Sequence, residues 1–170
     1  MLRAIGRAYH LLLTGCVALA ALLLLTGIAL VVVDVVTRAS GLRPPGYTVA
    51  FVEYILLYFT LLSAPWLVRI KGHVLTDMLV VRMPATLRLV CAKAVYLVCI
   101  AVSLVFAVQG WLLFQEGLRF GYVDERSVDI PYWALYVLFP LCFSMIAVEF
   151  ARYLLGFDSL YDRDKPVEAI

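Results

Sequence analysis

The sequence predicts an all-α integral membrane protein of four transmembrane helices with both termini in the cytoplasm. Three observations carry this. Of the 170 residues, 65% are hydrophobic and 15% charged, at a mean hydropathy of +0.99; a soluble domain is about 45–50% apolar and about 25% charged. The apolar residues are gathered into four continuous runs near the roughly 20 residues that cross a bilayer. The basic residues, finally, lie mostly on one side of those runs. A water-soluble or disordered chain is excluded, because the polar surface is too small to cover the apolar mass. The runs do not alternate in polarity, which excludes transmembrane β-strands.

Span one covers about residues 11–36. Arg3 and Arg7 precede it as in a signal peptide, but the run exceeds a 7–15-residue signal core and no small-residue cleavage site closes it. It is expected to remain as a membrane helix. Its one charge, Asp34, stands four residues before Arg38, the spacing of a local helical ion pair. Span two, about 49–68, carries Glu53 roughly 6 Å below its edge at 1.5 Å per residue. That carboxylate is expected to face the bundle or a partner, or to snorkel.

The loop between spans two and three contains Lys71-Gly72-His73-Val74-Leu75-Thr76-Asp77. His73 and Asp77 share a face if helical, and the stretch to Arg82 predicts a weakly amphipathic helix lying on the inner membrane surface. Span three, about 89–114, has Cys99, Ser103, Ala107 and Gly110 on one face. Small residues let helices approach closely in lipid, so this stripe is expected to meet another helix. Span four, about 132–155, starts at Ile130-Pro131, where proline is tolerated in a first helical turn, and contains Pro140, which removes the hydrogen bond at the Tyr136 carbonyl and predicts a kink. Glu149 stands three residues before Arg152 and reads as a second local pair. Residues 156–170 are expected to form a short cytoplasmic tail.

The loops set the orientation. Arg3, Arg7, Arg69, Lys71, Arg82, Arg88, Lys93, Arg152, Arg163 and Lys165 make ten basic residues on one side; Arg38, Arg43, Arg119 and Arg126 make four on the other. The positive-inside rule then places both termini in the cytoplasm. Tyr47, Trp66, Trp111, Tyr122, Tyr132, Trp133 and Tyr153 fall near span ends, where rings anchor at headgroup level. Glu116, Asp124, Glu125 and Asp129 make the last outer loop acidic.

No residue pattern points to catalysis. Cys16, Cys91, Cys99 and Cys142 lie in apolar runs without a C-x-x-C and read as buried packing residues. A bis-histidine haem needs two ligands at similar depth on facing helices, whereas His10 begins a helix and His73 is in a loop. There is no nucleophile–base pair, glycine-rich phosphate loop, metal cluster or clustered basic nucleic-acid patch. No ionisable residue stands at mid-depth, where a proton relay or ion site belongs. The residues therefore predict a non-enzymatic membrane protein that works with others, with no cofactor and no metal.

The order of three motifs resembles the small transmembrane subunit, DctQ-type, of the tripartite ATP-independent periplasmic (TRAP) transporters. Phe51-Val52-Glu53-Tyr54 supplies the acidic residue near the start of span two; where the family often has a tryptophan and a second glutamate, this chain has Phe51 and Tyr54. Gly72, His73, Asp77, Met78, Leu79 and Met83-Pro84 match the loop pattern. Ile130-Pro131-Tyr132-Trp133 followed by Pro140 matches the start of span four. The resemblance extends over about residues 10–155.

It implies a multi-pass protein of the bacterial inner membrane that braces a large permease subunit and helps dock a periplasmic substrate-binding protein. The assembly would import organic acids on a sodium gradient. Partner contacts are then expected at Glu53, His73, Asp77, Cys99, Ser103, Ala107, Gly110, Trp133 and Pro140, and binding-protein docking at Asp124, Glu125 and Asp129; membrane lipids are the remaining partner. Two rivals compete with this reading. A self-sufficient four-helix proton-coupled transporter would need Glu53 as its exchanging carboxylate. A membrane thiol oxidoreductase would need paired cysteines near the outer surface.

Overall fold

The structure, a computed structural model, describes residues 2–43, 45–70, 84–125 and 128–156. In chain order these form α1 (Leu2–Ala39), α2 (Thr48–Arg69), α3 (Ala85–Phe120), β1 (Val123–Asp124), β2 (Ile130–Pro131), α4 (Tyr132–Tyr136) and α5 (Leu138–Leu154). Four segments are long and apolar enough to span a membrane: Gly6–Ala39, Thr48–Arg69, Leu89–Phe120 and Tyr132–Leu154. The chain is an all-α, four-helix, multi-pass membrane protein, as its composition predicts. The expected surface helix at residues 73–82 and the tail beyond residue 156 lie outside the described residues.

The helices outrun the apolar runs. At 1.5 Å per residue, the 38-residue α1 is about 57 Å long and the 36-residue α3 about 54 Å, against a hydrocarbon core of about 30 Å. Backbone hydrogen bonding continues past the lipid until a breaker intervenes. For α1 that breaker is Gly41, at φ 74°; for α3 it is Gly121, at φ 64°, whose N–H caps the Gly117 carbonyl. Hydropathy marks the lipid-facing portion of a helix and glycine marks its end.

α1 packs on α2, α2 on α5, and α5 on α3. α2 and the α4–α5 segment are thus central, and α1 and α3 flank them. Three apolar layers stack along the bundle. Val68, Ala92, Tyr96, Phe150 and Tyr153 fill the end that carries both helical termini, hereafter the terminal end. Ala20, Leu61, Leu62 and Cys142 fill the middle. Ala50, Tyr54 and Leu135 fill the hairpin end. α1 and α3 leave long rows of side chains exposed, among them Leu11, Leu22, Val98 and Val105. Such surface is costly in water and ordinary in lipid.

The small-residue stripe packs inside the chain. A Cβ on Gly110 would lie 2.5 Å from Phe139 Cβ, and one on Gly117 would lie 2.6 Å from the Trp133 backbone nitrogen. Gly117 stands seven residues beyond Gly110 and continues the same face.

Near Pro140 the helix is interrupted for one residue: α4 ends at Tyr136 and α5 begins at Leu138, with Val137 between them still in helical backbone geometry. Pro131 lies just before the helix, extended at φ −66° and ψ 139°, rather than inside its first turn. Pro65 lies inside α2 without ending it, and leaves the Leu61 carbonyl without its i+4 donor. The threonines of α1 hide their hydroxyls by donating to carbonyls one turn back, as Thr26 does to Leu22 at 2.9 Å and Thr37 to Val33 at 2.7 Å.

The cysteines correct one expectation. Cys142 is buried and Cys16 and Cys99 are half-buried, but Cys91 is exposed on α3. A thiol facing lipid meets an apolar solvent, so burial against protein is not required of it.

Candidate functional site

The chemistry-bearing side chains collect at the two ends of the bundle. At the terminal end, α5 carries Glu149, which is 1% exposed. One helical turn on, Arg152 Nη1 donates to Glu149 Oε2 at 3.2 Å and Oε1 at 3.4 Å. This is the local pair that spacing predicts. Spacing does not predict the second cation: Arg69, the last residue of α2 and itself buried, brings Nη1 to 3.8 Å from Glu149 Oε1. The Arg69 guanidinium also lies over the Tyr9 ring of α1, 5.8 Å from its centroid, a cation–π geometry. His10 packs edge-on against Trp66 beside it. One carboxylate thus gathers α1, α2 and α5.

Tyr153 closes this end. Its hydroxyl lies 2.8 Å from the Val68 carbonyl and 3.2 Å from that of Arg69, and donates to the end of α2. Burial of a charge demands pairing, and the cluster supplies it by drawing three helices together. Its chemistry is that of a brace.

At the hairpin end, β1 and β2 pair antiparallel, with Asp124 opposite Ile130. The buried Tyr54 of α2 donates its hydroxyl to Asp124 Oδ2 at 3.0 Å, and Tyr58 donates to the Ala134 carbonyl at 2.6 Å. α2 therefore holds both the hairpin and the short helix that follows it. Glu125 and Asp129 are exposed, while Asp124 is half-buried. Glu53 is exposed one position before Tyr54. At the far end of α1, Arg38 Nε meets Asp34 Oδ2 at 2.7 Å, the predicted local pair.

The remaining sequence candidates divide as follows. Ser103 and Gly110 are buried, and Cys99 and Ala107 half-buried, within the α3 packing. Trp133 is exposed and Pro140 half-buried. His73 and Asp77 lie outside the described residues. Among the described residues no group of three histidine, cysteine, aspartate or glutamate side chains gathers as a metal site. Sequence reasoning missed Arg69, Tyr9, Tyr54 and Tyr153. Each acts across helices far apart in the chain, and only Tyr54 stood within a motif.

Residues 27–157 match the profile of the DctQ component of tripartite ATP-independent periplasmic transporters. The match begins inside α1, later than the motif order alone predicts, and takes in α2 through α5. Comparison with curated proteins and with solved structures finds no match. The match spans most of the chain and all but the start of the four-helix bundle: the chain belongs to the DctQ family, a membrane component of a TRAP transporter.

Proposed function

We propose that this chain is the small accessory subunit of a sodium-coupled TRAP transporter of the bacterial inner membrane, importing organic acids. In this reading it braces the large permease subunit and helps dock the periplasmic binding protein. The termini are cytoplasmic and the acidic hairpin faces the periplasm. The observation that carries the reading is the fate of the buried carboxylate. Glu149 is flanked by Arg69 and Arg152 near the end of its helix. A carboxylate fixed between two guanidiniums from two helices suits a scaffold rather than proton exchange. Substrate and sodium sites then belong to the large subunit.

The broad apolar faces of α1 and α3 are compatible with a permease packed beside this chain. Partner contacts remain proposed for the exposed Glu53 and Trp133 and for His73 and Asp77. Co-purification tests the assignment: a tagged chain should carry a much larger multi-span subunit through detergent extraction. Substrate uptake by the purified chain alone would overturn it and favour the self-sufficient proton-coupled transporter, whose exchanging group would be Glu53. Glu53→Gln should preserve uptake by the assembled transporter.

A further inference from the structure

Among the described residues, the terminal end of the bundle sets two guanidiniums against one carboxylate. Arg69 and Arg152 share a single carboxylate, at 3.8 Å and 3.2 Å, and among the described residues no other carboxylate pairs with either. Two guanidiniums against Glu149 leave a net positive charge where both side chains are largely out of water: their exposures are 6% and 29%. The hydrogen-bond inventory repeats the deficit. Arg69 Nη1 is buried with no hydrogen-bond partner. A buried guanidinium donor without an acceptor, beside more positive than negative charge, describes a place for an anionic acceptor.

The location fixes the chemistry. Arg69 is the last residue of α2, and Arg152 lies in the last turn of α5; both span ends fall at headgroup depth. Arg152 is the more exposed of the two and reaches the surface of the bundle. Arginine is well suited to phosphate, through paired donors in a planar fork, and basic clusters between membrane helices bind acidic headgroups. The geometry points to the phosphate of an anionic phospholipid seated on Arg152 and Arg69 at the terminal end, where it balances the surplus charge and supplies the missing acceptor. This inference does not depend on which substrate the transporter moves.

The test uses the protein purified in detergent with whatever subunits accompany it, stripped of lipid. Phosphatidylglycerol, phosphatidylcholine and inorganic phosphate are titrated separately while the unfolding temperature is followed. Phosphatidylglycerol should raise that temperature saturably and phosphatidylcholine should not. Arg152→Gln should shift the half-saturating phosphatidylglycerol concentration by about tenfold, the loss of one charge-assisted contact, and Arg38→Gln at the other end should leave it unchanged. Equal responses to the two lipids, or an unaltered titration in Arg152→Gln, would overturn the site. Inorganic phosphate acting as well as phosphatidylglycerol would overturn the lipid as its occupant. A photoreactive phosphatidylglycerol on the unmutated protein reads the site independently of variant folding. Adducts are expected on the last turns of α2 and α5, and adducts confined to other segments would refute the proposal.

Discussion

The Tyr54 hydroxyl donates to Asp124 Oδ2 across 3.0 Å, joining residues 70 positions apart. Tyr54 is buried in α2 and Asp124 ends β1 of the hairpin, so this bond fixes how the acidic loop stands on the bundle. Tyr54→Phe should cost about 1.5–3 kcal/mol, the range for a hydrogen bond to a charged group. Amide exchange at Val123 and Asp124 should accelerate, while exchange in the core of α5 should not. A double-mutant cycle with Asp124→Ala checks the pairing; additive effects would show that the two side chains do not act together.

Glu149 is the hub of the opposite end, and its removal should be the most damaging single polar change in the bundle. Glu149→Gln leaves Arg69 charged and buried. Losing one member of a buried pair costs about 3–5 kcal/mol. Replacing both ends of the cross-helix pair, as Arg69→Met with Glu149→Leu, should recover most of that stability, because the charge and its desolvation leave together. Thermal unfolding in detergent compares the single and double variants. A double variant no better than Glu149→Gln would mean that the ion pair is not the source of the loss.

Three glycines separate close packing from helix propensity. A Cβ on Gly117 would meet backbone at 2.6 Å and one on Gly110 would meet Phe139 Cβ at 2.5 Å, whereas one on Gly15 would have nothing within 4 Å. Neither obstacle is the far end of a flexible side chain. Gly110→Ala and Gly117→Ala should therefore each destabilise by about 1–3 kcal/mol, the usual cost of overpacking. Gly15→Ala should be neutral or stabilising by up to about 1 kcal/mol through helix propensity alone. Unfolding temperatures of the three variants, measured side by side, decide the matter.

These contacts show what the amino-acid order makes legible. The four spans follow from apolar runs, because lipid rewards every residue of a crossing helix alike. Asp34–Arg38 and Glu149–Arg152 follow from spacing, because their partners sit within one helical turn. The Ser103–Gly110 stripe marks a packing face, but periodicity carries no information on which helix covers it; Phe139 and Pro140 do so from α5. Arg69–Glu149 and Tyr54–Asp124 were not legible, because each depends on how α2 settles against distant segments. In sequence Arg69 reads as a loop cation at a span end, and only the fold turns it inward.

The hairpin gives a last prediction, which rests on the proposed docking role. Glu125 and Asp129 are exposed and Asp124 is held by Tyr54, so the three acids should not respond alike. Glu125→Lys with Asp129→Lys alters charges that a basic partner would meet directly. Association with the periplasmic binding protein should slow, and the difference from wild type should shrink as salt rises, since rim charges act through screened steering. Asp124→Ala instead removes the acceptor of Tyr54 and loosens the hairpin on α2, and its defect should persist at high salt. Uptake measured against binding-protein concentration at two ionic strengths distinguishes the two behaviours. Identical salt dependence for all variants would place docking elsewhere on the surface.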